Sequence, residues 1–104
     1  MKKSALIVSL FATLAAATSG AAFANAELAT KKNCLACHAT DKKIVGPSYK
    51  DVAEKYAGQK DAAAKLAEKI QKGGVGAWGQ IPMPANPVTP EEAKQLAAWV
   101  LTIK

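Results

Sequence analysis

Residues 33–38 read Asn33-Cys34-Leu35-Ala36-Cys37-His38, "NCLACH", and they hold both cysteines and the one histidine of the 104-residue chain. The fold turns on what chemistry uses two thiols three positions apart with an imidazole directly behind the second. On one helical turn, residues i and i+3 share a side, so Cys34 and Cys37 project together.

The chain before this stretch reads as a leader. Lys2 and Lys3 give a positive start, Ala5 to Ala17 is almost wholly apolar, and Ala22-Phe23-Ala24 has the small-x-small pattern that signal peptidase accepts. Residues 1–24 are therefore expected to be a cleaved secretory signal, and residues 25–104 one small domain in the periplasm. A membrane-spanning helix needs roughly 20 apolar residues, and this run meets Thr18, Ser19 and Gly20 too soon. No stable membrane insertion is expected.

Removing 24 residues from 104 leaves 80, and a core of that size rarely supplies more than about 3–5 kcal/mol. A disulfide, a metal or a bound cofactor is needed to hold such a domain together. Of the 14 basic and 8 acidic residues, losing Lys2 and Lys3 leaves 12 against 8, a net charge of +4. Every basic residue is lysine. With no arginine fork and no aromatic-basic interleaving, nucleic acid is not an expected partner.

Four readings of the cysteine pair compete. Zinc takes about four ligands, and the chain offers two thiols and one imidazole. A thioredoxin-like redox pair follows a strand, and no strand pattern precedes Cys34. A disulfide is natural in an oxidising compartment, yet one closing so short a loop restricts the unfolded chain little. Covalent haem attachment fits best: CxxCH in an exported protein lets two thiols add to the vinyl groups of one porphyrin edge, with His38 facing the iron.

A sixth iron ligand decides between an electron-transfer site and an open one. Without the initiator, Met83 is the remaining methionine. It is either core filler or an axial ligand, and its place between Pro82 and Pro84, where two rings restrict the backbone, favours the ligand.

The rest of the chain reads as helices and loops, with no convincing strand. Ala26 to Lys32 is expected to be a short helix. Ser48 caps a second, with Asp51 as its partner and Val52, Ala53 and Tyr56 as its buried stripe, ended by Gly58. A third runs from about Asp61 to Lys72, with Ala63, Leu66, Ala67 and Ile70 on one face and an Asp61–Lys65 pair. In the last, Thr89, Pro90 and Glu92 form a capping box with proline at the first position, and Ala93, Leu96, Ala97, Val100 and Leu101 follow towards the C-terminus. Between the last two helices, "GGVGAWGQIPMPANPV", residues 73–88, carries four glycines and three prolines. It is expected to be an irregular functional loop over something apolar.

Taken together, "CLACH", "VGPSYKDVAEKYAG", "WGQIPMPAN" and "EEAKQLAAWVL" resemble the small class I monohaem cytochromes c of the bacterial cytochrome c-551 (cytochrome c8) type, across essentially all of residues 25–104. The resemblance implies an all-α fold of about four short helices around one haem c, with thioethers at Cys34 and Cys37 and axial ligands His38 and Met83. It also implies that the Pro47 carbonyl accepts the other ring N–H of His38, that Asn86 bonds near the Met83 sulfur, and that Trp78 reaches a haem propionate. Three departures stand out. Asn33 occupies a position where relatives often carry glycine, and Ala29 stands where the first helix usually has a bulky aromatic, which suggests a looser terminal crossing. Lys69 lies where several relatives place arginine, and would act as a point charge.

The expected function is one-electron transfer by a monomeric carrier. The donor implied is a membrane cytochrome complex, and the acceptor a terminal oxidase or cytochrome cd1 nitrite reductase. Lys31, Lys32, Lys42 and Lys43 are candidates for steering these encounters, or serve solubility alone. The competing function is a haem-based ligand sensor or peroxidase-like enzyme with a labile sixth ligand. A peroxidase would need a distal histidine or arginine, which the chain lacks.

Overall fold

The computed structural model describes residues 19–104, with side chains from residue 25 onward. Most of the expected leader, residues 1–18, lies outside the described residues. The elements are α1 (Ser19–Lys31), a 3₁₀ turn (Cys34–Ala36), α2 (Tyr49–Tyr56), α3 (Ala62–Lys72), strands β1 (Gly74–Gly76) and β2 (Gly79–Met83), and α4 (Pro90–Leu101).

The capping signals explain where the helices start. Ser48 Oγ accepts from the Asp51 backbone N–H at 3.1 Å, while Asp51 returns no bond. At α4 the box is complete: Thr89 Oγ1 accepts from Glu92 N at 3.1 Å, and Glu92 Oε1 accepts from Thr89 N at 2.9 Å. Such a cap is worth about 1 kcal/mol. It fixes the start of the helix on which α1, α2 and α3 all pack.

The core is thin. Val52 and Ala53 of α2, Leu66 and Ala67 of α3, and Ala93, Leu96, Ala97 and Val100 of α4 are buried together with Tyr49. Among the described residues no large side chain is completely sealed from solvent, and the fully enclosed positions are Ala29, Ala93 and Ala97. The crossing of α1 and α4 thus uses small residues at close approach, and Ala29 is buried rather than loosely packed.

Four expectations are corrected. The first helix begins at Ser19 among the described residues instead of Ala26, so it runs through the expected processing boundary. On α3, Ala62 is buried and Ala63 exposed. The last helix stops at Leu101, where the Thr102 N–H turns back to the Trp99 and Val100 carbonyls. The loop at 73–88 contains an antiparallel ribbon, Gly74 opposite Met83 and Gly76 opposite Gly79. A two-stranded ribbon consists only of edges, which tolerate Pro82, and its glycines take the positive φ values that irregular pairing demands.

Candidate functional site

The attachment turn is set by its backbone. Asn33 adopts the left-handed conformation, φ 61°, directly before Cys34. Asparagine tolerates this better than most residues, which accounts for its standing where glycine was the expected type. The turn then closes: Cys37 N and His38 N both donate to the Cys34 carbonyl, at 3.2 and 3.0 Å. The segment that follows folds back over it, with Val45 N and Gly46 N donating to the Cys37 carbonyl at 3.2 and 2.8 Å.

That fold-back aims the Pro47 carbonyl at the imidazole, 2.7 Å from His38 Nδ1. With Nδ1 as the donor in this bond, Nε2 carries the available lone pair. Tyr49 stacks on the same imidazole, its ring 5.1 Å away and nearly parallel at 18°, while Trp99 meets Tyr49 edge-on at 5.3 Å. Gly46 completes the enclosure, because a Cβ there would lie 2.5 Å from His38 Cε1.

Cys34 and Cys37 are unbridged and half-buried. Burial pushes the Cys34 thiol up from its ordinary value, so it stays protonated at neutral pH. Burial likewise drives the Tyr49 phenol far up, and it remains a neutral hydroxyl beside Cys34.

All seven residues singled out from sequence (Cys34, Cys37, His38, Pro47, Trp78, Met83 and Asn86) line one cavity of about 280 Å³. Val52, Leu66 and Ile70 from the helices and Val75 and Ile81 from the ribbon also face it. Val75 and Ile81 are 62 and 66 % exposed, so apolar side chains converge on a space that the polypeptide itself leaves open. A flat apolar group with two attachment points at the thiols and a metal at Nε2 suits that lining. The residues fit a covalently held haem.

Asn86 behaves differently from expectation: its amide donates to the carbonyls of Ile70 at 2.9 Å and Pro84 at 3.3 Å. It thereby fixes the chain just after Met83. Gly73, with φ 70°, lets Met83's carbonyl and the Pro84–Ala85 backbone pass against it. Trp78 is 41 % exposed at the ribbon tip. Lys32 is tied down: its ammonium donates to the Pro87 carbonyl at 3.3 Å and lies 3.8 Å from Glu92 Oε2. Its charge is thus partly paired, whereas Lys31, Lys42 and Lys43 are exposed.

Sequence reasoning missed Gly46, Tyr49 and Lys55. The signal for Tyr49 was present, since positions 49, 52, 53 and 56 make an i, i+3, i+4, i+7 stripe. Gly46 gives no such signal, because its partner, the His38 ring, is brought to it by the fold-back of the chain.

Known proteins share this arrangement of sequence and fold. The family model for Cytochrome c matches residues 23–104. The chain is 60% identical over 85 residues to cytochrome c-552 of Hydrogenobacter thermophilus, covering 82% of this chain and 87% of that one. It is 52% identical over 105 residues to cytochrome c-551 of Pseudomonas aeruginosa, covering 100% of both. The structure of wild-type Nitrosomonas europaea cytochrome c552 superposes with a TM-score of 0.74 at 56% identity, over 76% of this chain and 99% of that one. A class 1 cytochrome, MtoD from Sideroxydans lithotrophicus ES-1, superposes at 0.65 and 37% identity, over 83% and 96%. With residue pattern, fold and relatives in agreement, the chain belongs to the cytochrome c family: it has the class I fold, carries one covalently attached haem c, and transfers electrons rather than acting as an enzyme.

Proposed function

We propose that this chain is a periplasmic electron carrier in which Cys34 and Cys37 hold the haem by thioethers and His38 and Met83 fill both axial positions. The observation that carries the reading is the bond from His38 Nδ1 to the Pro47 carbonyl, which commits one ring nitrogen and leaves the other to serve the cavity that Met83 also lines. When bound, haem c supplies a ferric/ferrous couple that takes up and gives back one electron.

The chain's own residues set the terms of that exchange. Pro47, Tyr49 and Gly46 hold the imidazole in one orientation, so little rearrangement accompanies a change of charge. Val52, Leu66 and Ile70 exclude water, and a thioether ligand in apolar surroundings favours the reduced state. Trp78 is proposed to reach a propionate. Asn86 acts on Met83 by anchoring the loop behind it.

Leu35 and Ile44, 42 and 49 % exposed beside the attachment turn, form the apolar contact for transient docking. Lys31, Lys42 and Lys43 lie near it in sequence and would steer an acidic partner. The proposed donor is a membrane cytochrome complex, and the proposed acceptor a terminal oxidase or cytochrome cd1 nitrite reductase. Cleavage after Ala24 is proposed to precede this role, and among the described residues no helix is long and apolar enough to cross a membrane.

The test is an optical spectrum of holoprotein in both oxidation states. Haem bands that survive acid-organic extraction, with the weak near-infrared band of thioether-bound ferric iron, are the expected result. Haem without that band at neutral pH would overturn Met83 ligation and reopen a ligand-binding role.

A further inference from the structure

The ribbon has little support of its own, for every residue from Gly74 to Pro82 is exposed. At its base, Asn86 anchors it through two bonds to the Ile70 carbonyl, 3.3 Å from the backbone N and 2.9 Å from Nδ2. At its tip, the turn Ala77–Trp78, a single side chain reaches across from α2. Lys55 Nζ donates to the Ala77 carbonyl at 2.8 Å, and the same ammonium lies 4.4 Å from the centroid of the Trp78 ring.

These contacts join two elements that wall the cavity. Its lining takes Val52 and Tyr56 from α2, and Trp78, Ile81 and Met83 from the ribbon. Lys55 sits on the last turn of α2, next to Tyr56, and ties the end of that wall to the tip of the other. Strand β2 then runs from the tip directly to Met83, with Pro82 in line and Pro84 beyond. Two fixed φ angles flank the methionine, and a displacement at the tip is passed along the strand rather than absorbed.

We propose that Lys55 is a positioning residue: it sets how closely the ribbon closes over the cleft and, through β2, how firmly Met83 holds the iron. The proposal rests on the reading of Met83 as axial ligand. Both halves of the contact use the positive charge, the carbonyl bond by charge assistance and the indole by its ring face. Arginine can replace both, stacking on the ring and donating to the carbonyl. Alanine replaces neither, while suiting the helix.

The experiment compares holoprotein with Lys55→Ala, Lys55→Arg and Met83→Ala. Amide hydrogen exchange at Gly76–Gly79 reads the ribbon tip, and the affinity of the ferric protein for imidazole reads how easily Met83 is displaced. Lys55→Ala should exchange about fivefold faster at the tip and bind imidazole about tenfold more tightly, with a lowered reduction potential. Lys55→Arg should stay within about twofold of the native protein in both. Unchanged tip exchange in Lys55→Ala would show that Lys55 does not hold the ribbon. Faster exchange with native imidazole affinity would show that ribbon closure does not reach Met83, and would overturn the proposal as well. If Met83→Ala keeps the near-infrared band and native imidazole affinity, the ligand assignment itself fails. The tip exchange of Lys55→Ala distinguishes that failure from a failure of the latch.

Discussion

Gly46 lies flat against the imidazole of His38, so close that a methyl group on its Cα would stand 2.5 Å from Cε1. The contact works with the Pro47 bond one residue later: one residue removes bulk and the next supplies an acceptor. Gly46→Ala must push either the ring or the loop. Overpacking of this kind costs about 1–3 kcal/mol. The holoprotein should melt at lower temperature, and the imidazole should lose its bond to Pro47, visible as a shift of its ring N–H resonance. An unchanged melt and unchanged resonance would refute the close contact.

Gly73 is placed to control the loop that carries Met83. Its φ of 70° disfavours any side chain, and a Cβ would collide with the Met83 carbonyl. Gly73→Ala is expected to weaken the near-infrared band while the bands due to attached haem persist. Retention of full intensity would show that the loop tolerates the change.

Glu92 gives the fold a pH dependence with a definite sign. Its bond from the Thr89 backbone N–H, reinforced by the Lys32 ammonium, holds its carboxyl below the ordinary value of 4.5. The unfolded chain therefore binds the proton first as pH falls. The stabilisation is fully present above the unfolded value and lost as the pH drops through the folded one. Between about pH 6 and pH 3, native protein should lose more of its melting temperature than Glu92→Gln. Equal losses in thermal melts would show that this carboxyl contributes nothing.

The thin core predicts dependence on the haem. The fully enclosed residues of α4 are two alanines, Ala93 and Ala97, and isolated helices of this length are marginal in water. Cys34→Ala with Cys37→Ala is expected to yield a largely unfolded chain. Strong helical circular dichroism with a cooperative melt would contradict this.

Much of this was legible beforehand for a physical reason: local chemistry repeats. The capping box at Thr89 and the stripe Ala93-Leu96-Ala97-Val100 depend on neighbours within one or two turns, and the structure has them as expected. The ribbon was not legible because Gly74 and Gly79 advertise conformational freedom, and only their pairing with Met83 and Gly76 shows how that freedom is used. Lys32 and Lys55 were opaque for the same cause. Their partners, Pro87 and Ala77, are backbone carbonyls far along the chain, and no residue type announces a carbonyl.

The left-handed turn at Asn33 reaches beyond stability into how this sequence can drift. An asparagine codon does not become a glycine codon in one step; a pair of base changes is needed, through serine or aspartate. Aspartate shares asparagine's tolerance of positive φ, and serine does so less. The passage from asparagine to glycine before the first cysteine should therefore run through Asn33→Asp, a change that also subtracts from the positive field beside the attachment turn. A backbone angle of one residue thus couples the codon path at this position to the charge presented to redox partners.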